Sequence, residues 1–363
     1  MKVLIPAAGL GTRLRPHTLH RPKPLLPLAG KTVLDHALDR VAGLDITELI
    51  FVVGHLGDQM RDYVAAHYSV AARYVVQEEL LGQAHAIAVA RDFIDGPLLI
   101  LFVDTIFESD LSGLADVAAD GVIFYQEVED PRRFGVITVD SSGHVATFVE
   151  KPEEPTSNRA VVGLYYLKRG EDLIAAIDEL MARNIQTKGE FYLADALQIV
   201  IDNGARLEAW PVAVWEDCGT VPAVLHTNRY LLGLMEGIVA PAVGSDVALI
   251  PPVTVEAGAV VRESVVGPFA HVAAGCIIER SVVGPYVSLA GEVEVRQSML
   301  HDTIVDSRAR ILDSALASSL VGEAGKIHGF FERTNMGQSS EIDAGPPRDG
   351  EGLAPPAAAD GGE

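Results

Sequence analysis

Chemistry first suggests itself just past the opening apolar run Lys2–Pro6, in Ala7-Ala8-Gly9-Leu10-Gly11-Thr12-Arg13-Leu14-Arg15-Pro16. Glycines allow positive φ and close backbone approach to a ligand, and successive amides can form an anion-binding nest. Arg13, and then Lys23 within Arg21-Pro22-Lys23-Pro24-Leu25-Leu26-Pro27, put two cations beside that nest. Such a set suits a phosphate-bearing ligand, whose negative charge the amides and cations would meet. The stretch has no G-K-[ST] and no third glycine, so it is neither a Walker loop nor a dinucleotide fingerprint. Taken alone, a glycine-rich turn after a strand is equally well a purely structural turn.

Further polar residues punctuate apolar runs. Asp104 follows Leu98–Val103, and a carboxylate at the end of a strand is a natural Mg²⁺ ligand, since Mg²⁺ is usually held by one or two carboxylates plus substrate phosphates. Gln77 closes another run, with Gly82 shortly after it, opening Gln83-Ala84-His85-Ala86. A side-chain amide offers both donor and acceptor to a ligand; a helix N-terminus with a solvated Gln has the same letters. Glu150-Lys151 in isolation reads as a solvated pair, and Glu216-Asp217 as loop acids.

The elements that must position these residues alternate. Candidate strands are 2–6, 48–53, 73–77, 98–103, 122–127 and 161–167; candidate helices are 34–41, 59–66, 82–92, 170–182 and 192–203. Repeated strand–helix alternation predicts an α/β domain with a Rossmann-like, mostly parallel sheet over residues 1–235, with ligands at the carboxyl ends of its strands. From about Val243 the texture changes. Ser264-Val265-Val266-Gly267-Pro268 returns as Ser281-Val282-Val283-Gly284-Pro285, and Ser298-Met299-Leu300 continues the series at a spacing of 17. A short fixed period signals a solenoid whose units bury their apolar faces against one another. Two six-residue steps and one five-residue step fit the period, as in Val266, Val272, Ile278 and Val283. Residues 236–337 therefore resemble the hexapeptide repeats of a left-handed parallel β-helix, with a β-sandwich as the alternative. The segment 338–363, rich in Gly, Pro, Ala and acids, lacks the apolar content to offset its ordering entropy and reads as a disordered tail.

Composition narrows the partners. At 363 residues and 48% hydrophobic, the chain can bury a sizeable core in two domains. A formal net charge of -22 argues against nucleic acid or an anionic membrane as partner, which both demand a basic footprint. Cys218 and Cys276, the two cysteines, support neither a disulfide framework nor a zinc site. No run reaches the ~18 apolar residues of a spanning helix, so the expectation is a soluble, cytoplasmic homo-oligomer.

G-x-G-T-R-L-x-P followed by P-K-x-L-x-P resembles the signature of sugar-1-phosphate nucleotidylyltransferases. The resemblance runs along nearly the whole chain, most nearly to long-type glucose-1-phosphate thymidylyltransferases, which carry a C-terminal β-helix. It implies Mg²⁺ as cofactor, with Asp104 and Asp217 of Trp215-Glu216-Asp217-Cys218-Gly219-Thr220 as metal ligands and Arg13 and Lys23 as catalytic cations. Ala8, Gly9, Gly11, Thr12, Arg13, Gln77 and Gly82 would bind the nucleotide. Gly135, Glu150, Lys151, Val162 and Lys188 would bind the sugar phosphate, with Lys188-Gly189-Glu190 opening the next helix. Two departures stand out: Val103-Asp104-Thr105 replaces the usual G-D-N, and Lys188 replaces an Arg, losing its bidentate fork. The implied reaction joins dTTP or UTP to glucose-1-phosphate, giving dTDP-glucose and pyrophosphate. Alternatives are UDP-glucose or UDP-N-acetylglucosamine synthesis, a bifunctional enzyme with an acyltransferase β-helix (His271, His301 and His328 being its candidate bases), and a non-catalytic regulatory subunit.

Overall fold

Lys2–Ala7 sits inside a nine-stranded sheet, flanked in parallel by Glu48–Val53 and Leu98–Leu101, with Ala71–Val76 parallel to Glu48–Val53 on the outside. Their near-continuous apolar runs are what a sheet covered on both faces demands. Successive side chains alternate between faces. Leu4, Ile50 and Ile100 enter one core, with the helices Gly170–Ala182 and Leu193–Asp202, while Val3, Ile5 and Phe51 enter the other, with Val33–Asp39 and Gly57–His67. The computed structural model describes residues 1–241, 244–329 and 335–343, and the chain divides into two compact units, Met1–Leu231 and Leu232–Glu363.

The parallel block is the part that strand–helix alternation predicts. The remainder of the sheet is a mostly antiparallel wing. Arg159–Leu167 runs antiparallel to both Leu98–Leu101 and Gly121–Glu127, and a hairpin of Gly135–Val139 and Val145–Glu150 joins its start. Leu207–Pro211 pairs in parallel with Gly121–Glu127. Thr105–Glu108 and Val214–Asp217 form a separate antiparallel ribbon. The expected helix over 82–92 is shorter, Gln83–Ala88 followed by a 3-10 turn at Arg91–Phe93, and Val221–Gly233 adds a helix that the sequence pattern did not single out. Val33–Asp39 starts at a capping box: Thr32 Oγ1 accepts from Asp35 N–H, and the Asp35 carboxylate accepts from Thr32 N–H at 2.9 Å.

In the second unit every strand pairing is parallel, as in a β-helix. Strands stack in three rows. One row runs 253–255, 270–272, 287–289; the second 260–262, 277–279, 294–296; the third 265–266, 282–283. Val266, Val272, Ile278 and Val283, the residues of the six-and-five-residue step, are all 0% exposed. The recurring serines form a ladder at one corner. Ser264 Oγ accepts from Ser281 N–H at 3.0 Å, Ser281 Oγ from Ser298 N–H at 3.1 Å, and Ser298 Oγ from Ser314 N–H at 3.1 Å. The spacing shortens to 16 at the last step, where His301 and Asp302 replace the three residues Gly284-Pro285-Tyr286 of the preceding corner. Glu341–Asp343 pairs with Lys326–His328, so the strands run past residue 338, into the segment that the sequence suggests is tail. The rest of that tail, 344–363, and residues 242–243 and 330–334 of the repeat region lie outside the described residues.

Candidate active site

Because the four parallel strands point the same way, the loops that follow them share one edge of the sheet. Residues 8–16, 54–56, 77–82 and 102–104 are those loops. All but 54–56 border a cavity of about 410 Å³ whose lining includes Ala8, Gly9, Gly11, Thr12, Gln77 and Gly82. A second cavity, also about 410 Å³, is bordered by Gly135, Glu150, Lys151, Val162, Trp215 and Asp217. Arg13, Gln83, Phe102 and Asp104 border both, so the two spaces adjoin.

Local geometry explains the glycines. Gly11 has φ +59° and precedes the 3-10 turn Thr12–Leu14; its carbonyl accepts from Thr18 Oγ1 at 2.8 Å. A Cβ at Gly9 would meet nothing within 4 Å and would project into open space. Gly82, at φ +113°, lies against the Phe191 carbonyl, which a Cβ would approach to 2.5 Å. Only glycine fits there. Gln77 is 5% exposed, and its Nε2 donates to the Gly82 carbonyl at 3.3 Å, which leaves Oε1 without a hydrogen-bond partner among the described residues.

The acids converge. Antiparallel pairing sets Asp217 opposite Thr105, and Cys218 N–H donates to the Asp104 carbonyl at 2.9 Å. Asp104 accepts from Lys23 Nζ at 2.8 Å. Burial pulls its pKa upward, but the Lys23 ammonium, its hydrogen bond and Arg13 outweigh this, so Asp104 is held below the ordinary carboxylate value. Asp217 behaves oppositely: burial first, then the neighbouring Asp104 charge, raises its pKa despite Lys23 and Arg13. A Cβ at Gly219 would come within 2.8 Å of Asp217 Oδ1 and 3.0 Å of an Arg13 guanidinium nitrogen, so this glycine makes room for both. Two crowded carboxylates fit a divalent cation. Among the described residues no group of three or more His, Cys, Asp or Glu could hold a metal.

On the other side, Lys151 Nζ donates to Tyr192 Oη at 3.2 Å and lies 3.3 Å from Glu150 Oε1. Burial raises the Glu150 pKa against the pull of Lys151. A Cβ at Gly135 would come within 3.1 Å of Glu150 Oε2, so the glycine and the acid face each other. Val162 is fully buried in its strand yet borders the cavity. Val103 is 5% exposed and packs into the core, and Thr105 begins the ribbon strand that carries Asp217's partner residues. Lys188 borders neither cavity, though its charge acts on Glu150. It does not open a helix: residues 187–190 form a tight turn, and the helix begins at Leu193. Tyr165, Gln83, Arg133 and Glu190, which flank the expected site residues in sequence, also border the cavities. His271, His301 and His328 lie on three different strands, His271 beside Glu256 at 3.2 Å and His328 beside Asp313 at 3.1 Å.

Residues 2–233 match the nucleotidyl transferase family model. The chain belongs to this family. It is 31% identical over 264 residues to the bifunctional protein GlmU of Methanococcus maripaludis, covering 72% of this chain and 62% of that one. It is 34% identical over 278 residues to glucose-1-phosphate thymidylyltransferase of Streptomyces griseus, covering 74% and 77%. Among solved structures it resembles UDP-glucose pyrophosphorylase complexed with UDP-glucose, with a TM-score of 0.57, 25% identity, and coverage of 63% of this chain and 97% of that one. The chain thus spans under two thirds of the GlmU relative's length. Among the described residues no helix is long and apolar enough to cross a membrane.

Proposed function

We propose that this chain transfers a nucleotidyl group from dTTP or UTP to a sugar-1-phosphate, with glucose-1-phosphate as the sugar, releasing pyrophosphate. The observation that carries the reading is the meeting of two cavities at Arg13 and Asp104, with Asp217 bordering the second. In this reading the loop of Ala8, Gly9, Gly11 and Thr12 holds the triphosphate together with Arg13 and Lys23. Gln77 and Gly82 face the base. Lys151 positions the sugar phosphate, Gly135 and Glu150 meet sugar hydroxyls, Val162 completes that side, and Lys188 acts there only through its charge on Glu150.

A sugar phosphate oxygen attacks the α-phosphorus. The new P–O bond forms as the bond from the α-phosphorus to the bridging oxygen breaks, and that electron pair leaves with pyrophosphate. The attacking oxygen is already anionic, so no residue must remove a proton; alignment and charge stabilisation suffice. Lys23, bonded to Asp104, keeps that carboxylate ionised. Mg²⁺ would be held by Asp104 and Asp217 and would supply neutralisation of phosphate charge. The UDP-glucose in the similar pyrophosphorylase favours UTP as the second reading of the triphosphate.

Replacing Asp104 or Asp217 by Asn is expected to cut turnover by orders of magnitude while leaving the circular dichroism unchanged. Near-wild-type turnover of Asp217→Asn at saturating Mg²⁺ would remove that residue from the site.

A further inference from the structure

Thr187 and Glu190 exchange backbone hydrogen bonds of 3.0 and 3.1 Å. The two residues between them, Lys188 and Gly189, have φ of +52° and +82°. Positive φ at both central positions is the mark of a two-residue type I′ connection. This hairpin is anchored at each end. Thr187 Oγ1 donates to Asp195 Oδ2 at 3.0 Å. Phe191 N–H donates to the Leu81 carbonyl at 2.9 Å, and the Phe191 carbonyl accepts from Ala84 N–H at 2.9 Å. The second anchor ties the turn to Gly82, so Glu190 is fixed beside the part of the first cavity that carries Gln77.

Glu190 borders that cavity, and its carboxylate has no hydrogen-bond or ion-pair partner among the described residues. A carboxylate disfavours an adjacent triphosphate and, with no proton to give, meets an uncharged part of a ligand through that part's hydrogen-bond donors. With Gln77 on the base edge, the donors left on the uncharged part of a nucleotide are the sugar-ring hydroxyls. We infer that Glu190 is a specificity-determining residue that accepts a hydrogen bond from a ribose or deoxyribose hydroxyl of the bound nucleoside triphosphate. Asp195 and Thr187 are positioning residues that hold it there through the hairpin. The inference rests on the nucleotidyl-transfer reading and names how its nucleotide cavity selects a ligand.

The test is calorimetric titration of the full chain with UTP, 2′-deoxy-UTP and 2′,3′-dideoxy-UTP in Mg²⁺, without sugar phosphate. The wild type should bind a hydroxyl-bearing nucleotide about tenfold more tightly than the dideoxy compound, the size of one hydrogen bond to a charged group. Glu190→Ala should abolish that ratio, Glu190→Gln should keep part of it, and Thr187→Val should lower it with circular dichroism unchanged. An unchanged ratio in Glu190→Ala overturns the inference alone, whatever happens to the absolute affinities once the carboxylate's repulsion of the triphosphate is gone. Absence of any nucleotide binding in the wild type overturns the transfer reading and this inference with it.

Discussion

Replacing Gly82 by Ala should damage the fold and the first cavity together. Gly82 has φ +113° and ψ -179°, a region essentially confined to glycine, where a side chain costs about 1–3 kcal/mol in strain. The new Cβ would also stand 2.5 Å from the Phe191 carbonyl oxygen and 2.8 Å from its amide nitrogen. Relief requires residues 190–191 to retreat, which breaks the two backbone hydrogen bonds to Leu81 and Ala84, each 2.9 Å long. At about 1 kcal/mol per bond, the total is about 3–5 kcal/mol. For a unit of this size that lowers the melting temperature by roughly 10 °C or more. The same movement shifts Glu190 and the Gly82 carbonyl that orders Gln77, so the KM for the triphosphate should rise with the loss of stability. Thermal denaturation and steady-state kinetics on the purified variant read both. An unaltered melting temperature with an unaltered KM would refute the reasoning, because it would mean that neither the dihedral angle nor the contact constrains this turn.

Asp35 accepts hydrogen bonds from the Tyr63 and Tyr68 hydroxyls, each at 2.6 Å, and from Thr32. Burial pulls its pKa up, but these bonds win and hold it below 3.8; its contribution is therefore full above pH ~4 and is lost as pH falls through the lowered value. Asp35→Ala should cost about 2–3 kcal/mol at pH 7 and flatten the acid limb of a denaturation profile; an unchanged acid limb would contradict this. Ser281→Ala removes the Oγ that accepts from the buried Ser298 amide, so it should destabilise the β-helix by about 2 kcal/mol, read by urea denaturation; a neutral result would mean that the ladder contributes nothing. Gln77→Ala should erode the preference for dTTP and UTP over ATP and GTP by about 1–3 kcal/mol, measured in competition at equal concentrations, and a retained preference would move base recognition elsewhere.

The glycine-rich loop and the parallel block are legible because their signals are local: a run, a glycine turn, and two cations close together in the chain. Gln77 and Asp104 were legible for the same reason, as polar residues just past apolar strands. What brings Asp217 to Asp104 is not local. It is antiparallel pairing between Val214–Asp217 and Thr105–Glu108, strands about a hundred residues apart, each too short to stand out by alternation. Gly135–Val139 and Val145–Glu150 escaped notice because their mixed, half-exposed faces blur the alternating pattern. Lys188-Gly189-Glu190 reads as a helix start only through the resemblance to relatives with Arg-Gly-Glu; the turn signal is the glycine itself, flanked by residues that pair. The serine period was legible as repetition, but its cause, a side-chain ladder to the next coil's amide, is visible only in three dimensions. Its shortening from 17 to 16 at Ser314 was hidden because Gly-Pro disappears from the corner at the same point.

The central claim is that the two adjoining cavities hold a nucleoside triphosphate and a sugar-1-phosphate for transfer between them. Its most direct test pairs each of dTTP, UTP, ATP, CTP and GTP with a panel of sugar-1-phosphates and Mg²⁺, reading pyrophosphate release. The account predicts release with dTTP or UTP and glucose-1-phosphate, dependent on the metal and on both substrates. Release with no pair in the panel, from protein shown to be folded, would contradict it.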